Sequence, residues 1–262
     1  MTSTAMPPQS PVRGVLERLA AGDRGERLTH VEVLPPRRAT YAAWPDWVHP
    51  AVREALAERG VDRLWEHQAT GASLAQAGRH VVVATGTASG KSLAYQLPAL
   101  SASLAGRGPR GERGATTLYI APTKALAQDQ LASLLALGLG VRATTHDGDS
   151  SHEQRDWSRD HGEYLLTNPD MLHRSMLPGH ARWARFFGSL RYVVIDECHH
   201  YRGVFGAHVS HVLRRLRRVC ALYGADPTFV LASATVAEPD VLAGRLTGHE
   251  VTAVTDLSLI HI

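Results

Sequence analysis

The apolar residues of this chain gather into five short, continuous runs at 81–84, 118–121, 164–166, 193–195 and 229–232. The runs are mostly β-branched or aromatic and show no polar alternation, the pattern of strands buried on both faces. Between them the period changes to that of helices. In residues 124–137 the set Leu126, Ala127, Leu131, Leu134 and Leu135 falls on one stripe. In residues 204–220 Phe205, Val209, Val212, Leu213, Leu216 and Val219 do the same. Residues 50–59 predict a further helix, with Pro50 in its first turn and Gly60 as its stop. Strands alternating with helices require right-handed crossovers and a mainly parallel central sheet flanked by helices, an α/β fold. Residues 1–45 carry Pro7, Pro8, Pro11, Pro35, Pro36 and Pro45 and predict an irregular N-terminal arm, with the domain at 46–256. The segment GRGPRGERG at 106–114 predicts a flexible surface loop. The sequence contains no internal repeat.

Composition narrows this picture. At 262 residues, 44% of them apolar, the chain can hold one large α/β domain and an appendage. No apolar stretch approaches the ~20 residues of a membrane-spanning helix, so no membrane partner is expected. The first residues lack a basic start and an apolar core and are not read as a signal peptide. Cys198 and Cys220 form no spacing pattern, which speaks against a disulfide framework and fits a reducing, cytoplasmic setting. The formal charge is only +3, yet the 28 basic residues include just two lysines, Lys91 and Lys124. Arginine-rich surface suits phosphate recognition, although the default for a charge run is a solvated face. The two lysines stand out by position, each following one of the first two apolar runs.

Three runs end in residues that carry chemistry. After 81–84 come Thr85, Gly86, Thr87, Ala88, Ser89, Gly90, Lys91 and Ser92, then a helical pattern with Leu93, Leu97 and Leu100. A phosphate loop requires this strand–loop–helix context, and Thr85 stands where the pattern G-x-x-x-x-G-K-[ST] has its first Gly. Small residues let backbone N–H groups converge on phosphate oxygens, and the helix N-terminus adds a favourable field. Lys91 can reach the β- and γ-phosphates, and the Ser92 hydroxyl can ligate Mg2+. A mere glycine-rich turn with an exposed lysine would not need that context. After 193–195, Asp196 and Glu197 end a buried strand at the sheet edge where α/β ligands bind. Asp196 can bind Mg2+ through water, and Glu197 can orient and deprotonate an attacking water. Acidic strand ends are common; the pairing with Lys91 gives this one weight. Ser233, Ala234 and Thr235 end the last run.

Two further sets carry weaker signals. Gln68, ahead of the first run, has an amide that matches the donor and acceptor edge of adenine, which would select ATP; a lone Gln is usually just surface. His199, His200, His208 and His211, with Cys198, raise the question of zinc, but they lack a Cys/His pair at structural-site spacing. These histidines are expected in the core or at interfaces, and both cysteines as packing.

Taken in order, these residues resemble the motifs of superfamily-two helicases over residues 47–256. LWEHQ at 64–68 resembles the adenine-reading motif, 85–92 motif I, APTKALAQDQ at 121–130 motif Ia, and TNPDML at 167–172 motif Ic. DECH at 196–199 resembles a DEAH-type box, and 233–235 motif III. HDGD at 146–149, the TNPDML run and the extended box DECHHYRGVFGAHVSHVLRRLRRVC are similar to bacterial DNA-repair helicases of the mitomycin-repair-factor type, relatives of the fungal RecQ-four-like helicases. The resemblance implies a RecA-like P-loop NTPase domain that uses ATP and Mg2+. It further implies 3′-to-5′ translocation on single-stranded or forked DNA in repair.

Backbone phosphates would then be held by Pro122, Thr123 and Lys124 and by Thr167, Asn168, Pro169 and Asp170, without reading sequence. Ser233, Ala234 and Thr235 would couple nucleotide to that grip. Cys198 replaces the usual small apolar residue of the box and is expected to be tolerated at a buried site. No counterpart of motifs IV to VI follows, so the second RecA-like domain and its arginine finger are expected to lie outside this chain, leaving it nearly inactive alone. Residues 257–262, LSLIHI, read as a non-native, adapter-derived tail. The alternatives are a DEAD-box-type RNA helicase lobe, a restriction-enzyme motor, and a non-catalytic nucleotide-binding module acting through a partner.

Overall fold

A computed structural model describes Gly14 and residues 40–86, 89–108 and 113–255. The arm before residue 40 apart from Gly14, Thr87, Ala88, the centre of the 106–114 loop, Asp256 and the 257–262 tail lie outside the described residues. The first elements from residue 40 on are β1 (Tyr41–Ala42), α1 (Pro50–Ala57) and β2 (Leu64–Trp65). The β1 and β2 strands pair antiparallel, so the last part of the expected irregular arm is a strand. Next come α2 (Glu66–Gln76), β3 (Val81–Ala84), α3 (Ser92–Ala105), β4 (Thr116–Ile120), α4 (Lys124–Leu135), β5 (Ala143–Thr145), α5 (His152–His161) and β6 (Tyr164–Thr167). A helical stretch follows: α6 (Pro169–Met171), a π-turn (Leu172–Met176), a 3-10 turn (His180–Trp183) and α7 (Ala184–Gly188). The chain continues through β7 (Leu190–Ile195), a 3-10 turn (Cys198–His200), α8 (Gly203–Leu222), β8 (Thr228–Ser233), α9 (Pro239–Thr247) and β9 (Thr252–Thr255).

The 7-stranded sheet has the order β5-β6-β4-β7-β8-β3-β9, and its pairings are parallel throughout. Period-two alternation divides each strand between two cores. Val81, Val83, Tyr119, Tyr192, Val194 and Val230 meet Ala94, Leu97 and Leu100 of α3. Val82, Leu118, Ile120, Val193, Ile195 and Leu231 meet Phe186, Phe187, Leu213 and Leu216. Both faces are covered, which explains why the runs are continuous rather than alternating. Two expected stripes are narrower than the sequence suggests. Leu135 is 55% exposed at the end of α4, and Phe205 is 50% exposed in the first turn of α8.

The 106–114 loop is pinned at both described ends; its centre, on which the expected flexibility falls, lies outside the described residues. Arg107 donates from Nε to Glu163 Oε1 (3.1 Å) and from Nη2 to Oε2 (2.5 Å). Arg113 donates to the carbonyls of Arg159 and Gly162. Glu163 is buried and also bridges to Arg142 at 2.8 Å. Burial alone would raise its pKa, but the hydrogen bonds from Arg107 and Arg142 prevail and hold the carboxyl at about 2. On the opposite flank, α2 lies close against β3 and α3. A Cβ on Gly71 would come within 2.9 Å of Val83 Cγ2 and 3.1 Å of Ala94 Cβ.

Candidate active site

Strand register decides which loops meet. Ala84 pairs with Ser233, Leu231 with Ile195, Ile195 with Ile120, Ile120 with Thr167, and Leu166 with Thr145. Thr85, Ala234, Asp196, Ala121, Asn168 and His146 therefore all leave the sheet along one edge, the carboxyl edge at which α/β proteins bind ligands. The strands β3, β8 and β7 are consecutive, so the loops carrying Lys91, motif III and the acidic pair are neighbours.

The phosphate loop is tied by its own atoms. Thr85 is buried, and its Oγ1 lies 2.5 Å from Ser89 Oγ. Gly90 has φ +62°, which favours glycine, and an added Cβ would sit 2.5 Å from Gln68 Nε2 and displace that amide from its bonds. Lys91 Nζ donates to the carbonyls of Thr85 (3.1 Å) and Gly86 (2.8 Å). Burial lowers the pKa of Lys91, while the charges of Glu197 and Asp196 oppose the shift. Ser92 opens α3.

Asp196 is buried and held by three donors. The Glu197 N–H donates to Oδ1 at 2.9 Å; the Tyr95 hydroxyl (3.4 Å) and the Tyr119 hydroxyl, at closer range, donate to Oδ2. Burial and the nearby Asp196 charge raise the pKa of both phenols, which keeps them protonated donors. The carboxylate and the Ser92 hydroxyl make an all-oxygen donor set, which fits a hard cation such as Mg2+. Neither tyrosine was singled out from the sequence. Their signal was a phenol tip within a stretch that the pattern buries, since a buried phenol usually has a partner.

Glu197 has φ +48°, the one positive φ of a non-glycine among the described residues. Such strain persists where the surroundings over-determine it, and it gathers at functional sites. Glu197 Oε2 lies 3.1 Å from His199 Nδ1, and the Ala234 N–H donates to the same ring nitrogen at 3.3 Å. One imidazole thus touches both the acidic box and motif III. Burial lowers its pKa, favouring the neutral ring that can accept from Ala234. Ser233 is buried, Ala234 half-buried and Thr235 exposed.

Both edges of the Gln68 amide are engaged: Oε1 accepts from Trp65 N at 2.9 Å, and Nε2 donates to Gly90 O at 3.0 Å. His67 Nε2 lies 2.9 Å from Ser89 O. Among the expected strand-gripping residues, Thr123 and Lys124 are exposed at the start of α4 beside half-buried Pro122. Thr123 Oγ1 caps the helix by accepting from Leu126 N, and Lys124 Nζ pairs with Asp149 Oδ2 at 2.6 Å. The Thr167 hydroxyl is turned into the fold, donating to His146 O at 2.7 Å; Asn168 Oδ1 caps α6, Pro169 is buried and Asp170 is exposed. Cys198 and Cys220 are free and buried, each thiol pushed up to about 12 by burial, in line with packing roles. His208 and His211 are exposed on α8 rather than core residues, because their positions fall off its apolar stripe.

Residues 65–242 match the DEAD/DEAH box helicase family. The chain is 42% identical over 235 residues to the uncharacterized ATP-dependent helicase YprA of Bacillus subtilis, covering 88% of this chain and 31% of that protein. It is 37% identical over 222 residues to the ATP-dependent helicase HRQ1 of Saccharomyces cerevisiae, covering 81% of this chain and 20% of that one. The crystal structure of the DUF1998 helicase MrfA bound to DNA and AMPPNP superposes with a TM-score of 0.80 at 42% identity, over 85% of this chain and 31% of that chain. The chain spans about a third of the length of YprA and of MrfA. Among the described residues, no helix is long and apolar enough to cross a membrane. The sheet and its flanking helices are those of a RecA-like helicase domain, and the chain belongs to the DEAD/DEAH box helicase family.

Proposed function

We propose that this chain is the ATP-binding lobe of an ATP-dependent DNA helicase or translocase, moving 3′ to 5′ along single-stranded or forked DNA in repair. One observation carries the reading: parallel register brings the loop of Lys91 and the strand end of Asp196 and Glu197 to a single edge of the sheet, on strands separated only by β8. The loop's N–H groups and the start of α3 receive the phosphates, and Lys91 exchanges its bonds to Thr85 and Gly86 for β- and γ-phosphate oxygens. Glu197 holds the attacking water and takes its proton. Tyr95 and Tyr119 keep Asp196 oriented so that it and Ser92 would hold Mg2+, which supplies charge neutralisation on the phosphates. Exchange of the Gln68 bond to Gly90 would let its amide meet adenine.

Thr123, Lys124 and the 167–170 turn contact backbone phosphates without reading bases. The kinship with a helicase seen bound to DNA favours DNA over RNA. An arginine finger is worth on the order of 10³–10⁵ in rate, so without a second lobe this chain binds ATP and turns it over negligibly.

In the full-length protein, Lys91→Ala is expected to abolish ATP turnover. Glu197→Gln should bind a fluorescent ATP analogue while hydrolysis falls about 10²-fold or more. Wild-type hydrolysis by Glu197→Gln, or stronger ATPase stimulation by RNA than by single-stranded DNA, would overturn the reading.

A further inference from the structure

Beyond β7 stands a cluster of nitrogen and oxygen ligands that ATP hydrolysis does not use in full. Glu197, His199 and His200 each present one ligand atom, and the three atoms lie within 4.8 Å of one another. The backbone builds this convergence. Glu197 adopts the left-handed conformation, and the His200 N–H closes the next turn by donating to Glu197 O at 2.9 Å. Glu197 Oε2 and His199 Nδ1 are 3.1 Å apart. A cation about 2.1 Å from each would see them at close to a right angle, an ordinary arrangement for two ligands of one ion. His200 is exposed, and its ring stacks on that of His199 with centroids 4.4 Å apart.

We propose that Glu197, His199 and His200 form a site for a borderline-soft divalent cation such as Zn2+, and that its occupation switches the motor off. Two imidazoles and one carboxylate are a donor set that zinc favours, whereas Mg2+ prefers all-oxygen ligands such as Asp196 and Ser92. The site differs from the zinc grouping weighed from the sequence: Glu197 joins it, and Cys198, His208 and His211 do not. Occupation has two consequences. Ligation takes the Nδ1 lone pair that accepts from Ala234, releasing motif III from the acidic box. It also ties one carboxylate oxygen of Glu197 to the cation, whose charge weakens the group's capacity to take a water proton. The switch rests on the proposed role of Glu197 as base; the cation site does not.

The test titrates this chain, freed of any affinity tag, with Co2+ as the probe and follows its visible d–d absorption; Zn2+ is then added as competitor. We expect saturable binding that Zn2+ displaces and Mg2+ does not. His200→Ala and Glu197→Gln should each weaken it about tenfold or more, while the paired change His208→Ala with His211→Ala leaves it intact. Unchanged binding in His200→Ala, or loss of binding in the His208/His211 variant, would overturn the site. The full-length protein then separates the two claims. Zn2+ should suppress the ATPase of the natural sequence and spare whatever activity His200→Ala retains. Equal suppression of both rejects the switch and leaves the helicase reading to stand or fall on Lys91→Ala.

Discussion

Asp196 is a buried carboxylate whose direction is set by neighbours outside the acidic box. Removing the Tyr119 hydroxyl deletes a charge-assisted hydrogen bond with almost no change of shape. Tyr119→Phe is therefore expected to lower the unfolding free energy by about 1.5–3 kcal/mol in denaturant titration. Tyr164 supplies the contrast. Its hydroxyl is buried with no partner among the described residues, so Tyr164→Phe should be neutral or stabilising. A loss of similar size in both would mean that ring packing, not the bond to Asp196, is being measured. At this scale the placement of Lys91, Ser92, Asp196 and Glu197 at one sheet edge was legible, because it depends on short spacings within one loop or strand end. Tyr95 and Tyr119 were not. Each reads as core until the fold brings its phenol to Asp196, Tyr119 through the register of β4 against β7 and Tyr95 from α3. The junction at His199 was hidden for the same reason, since Ala234 is remote from it in sequence and arrives on β8.

Among elements, α2 shows how a helix is fixed by what it lacks. Alanine is the better helix former, yet Gly71→Ala would drive a methyl group into Val83 and Ala94. The expected result is a loss of about 1–3 kcal/mol, read from the shift in the unfolding midpoint, where an exposed helix position would gain. The α4 helix makes a different prediction. Asp149 occupies Lys124 at 2.6 Å, both side chains being well exposed, and a DNA phosphate would compete for the same ammonium. Asp149→Asn in the full-length protein should tighten single-stranded DNA binding by up to about fivefold at low salt, with the gain fading as salt rises. Unchanged affinity at every salt concentration would argue that Lys124 does not hold phosphate. The central strands were readable as runs because both faces are buried. The β5 and β9 strands were not, as edge strands that are half-buried and threonine-containing. The polar α5 has no apolar stripe; its one readable mark was the Ser151 and Gln154 pair, which forms a capping box.

For the whole molecule, acid should act in two steps. The rings of His80 and His249 stack with centroids 3.9 Å apart, and His80 Nδ1 accepts from Phe229 N at 3.0 Å. Burial lowers the pKa of both, with Arg217 adding to the shift and Asp226 opposing it; His249 falls to about 4. Their folded values lie below the ordinary 6.5, so the unfolded chain binds protons more readily, and stability drops as pH falls from 6.5 towards 4. After allowance for solvent screening, His249 accounts for about 1–2 kcal/mol. The Glu163 contribution is intact above 4.5 and is lost only as pH falls further, towards 2. Unfolding free energies measured across this range should show the upper step reduced in His249→Phe, with His80 and His146 still contributing, and the lower one unmoved.

The sheet order itself was beyond the sequence, because apolar runs do not name their neighbours. It has a consequence for scale. With β8 between them, β3 and β7 are two inter-strand spacings apart, about 9.5 Å. Main-chain hydrogen bonds set that span, and side-chain replacements in β8 leave it unaltered. The gauge against which a triphosphate is measured is thus written in the peptide backbone, and drift in sequence can change the grip at either end without changing the reach between them.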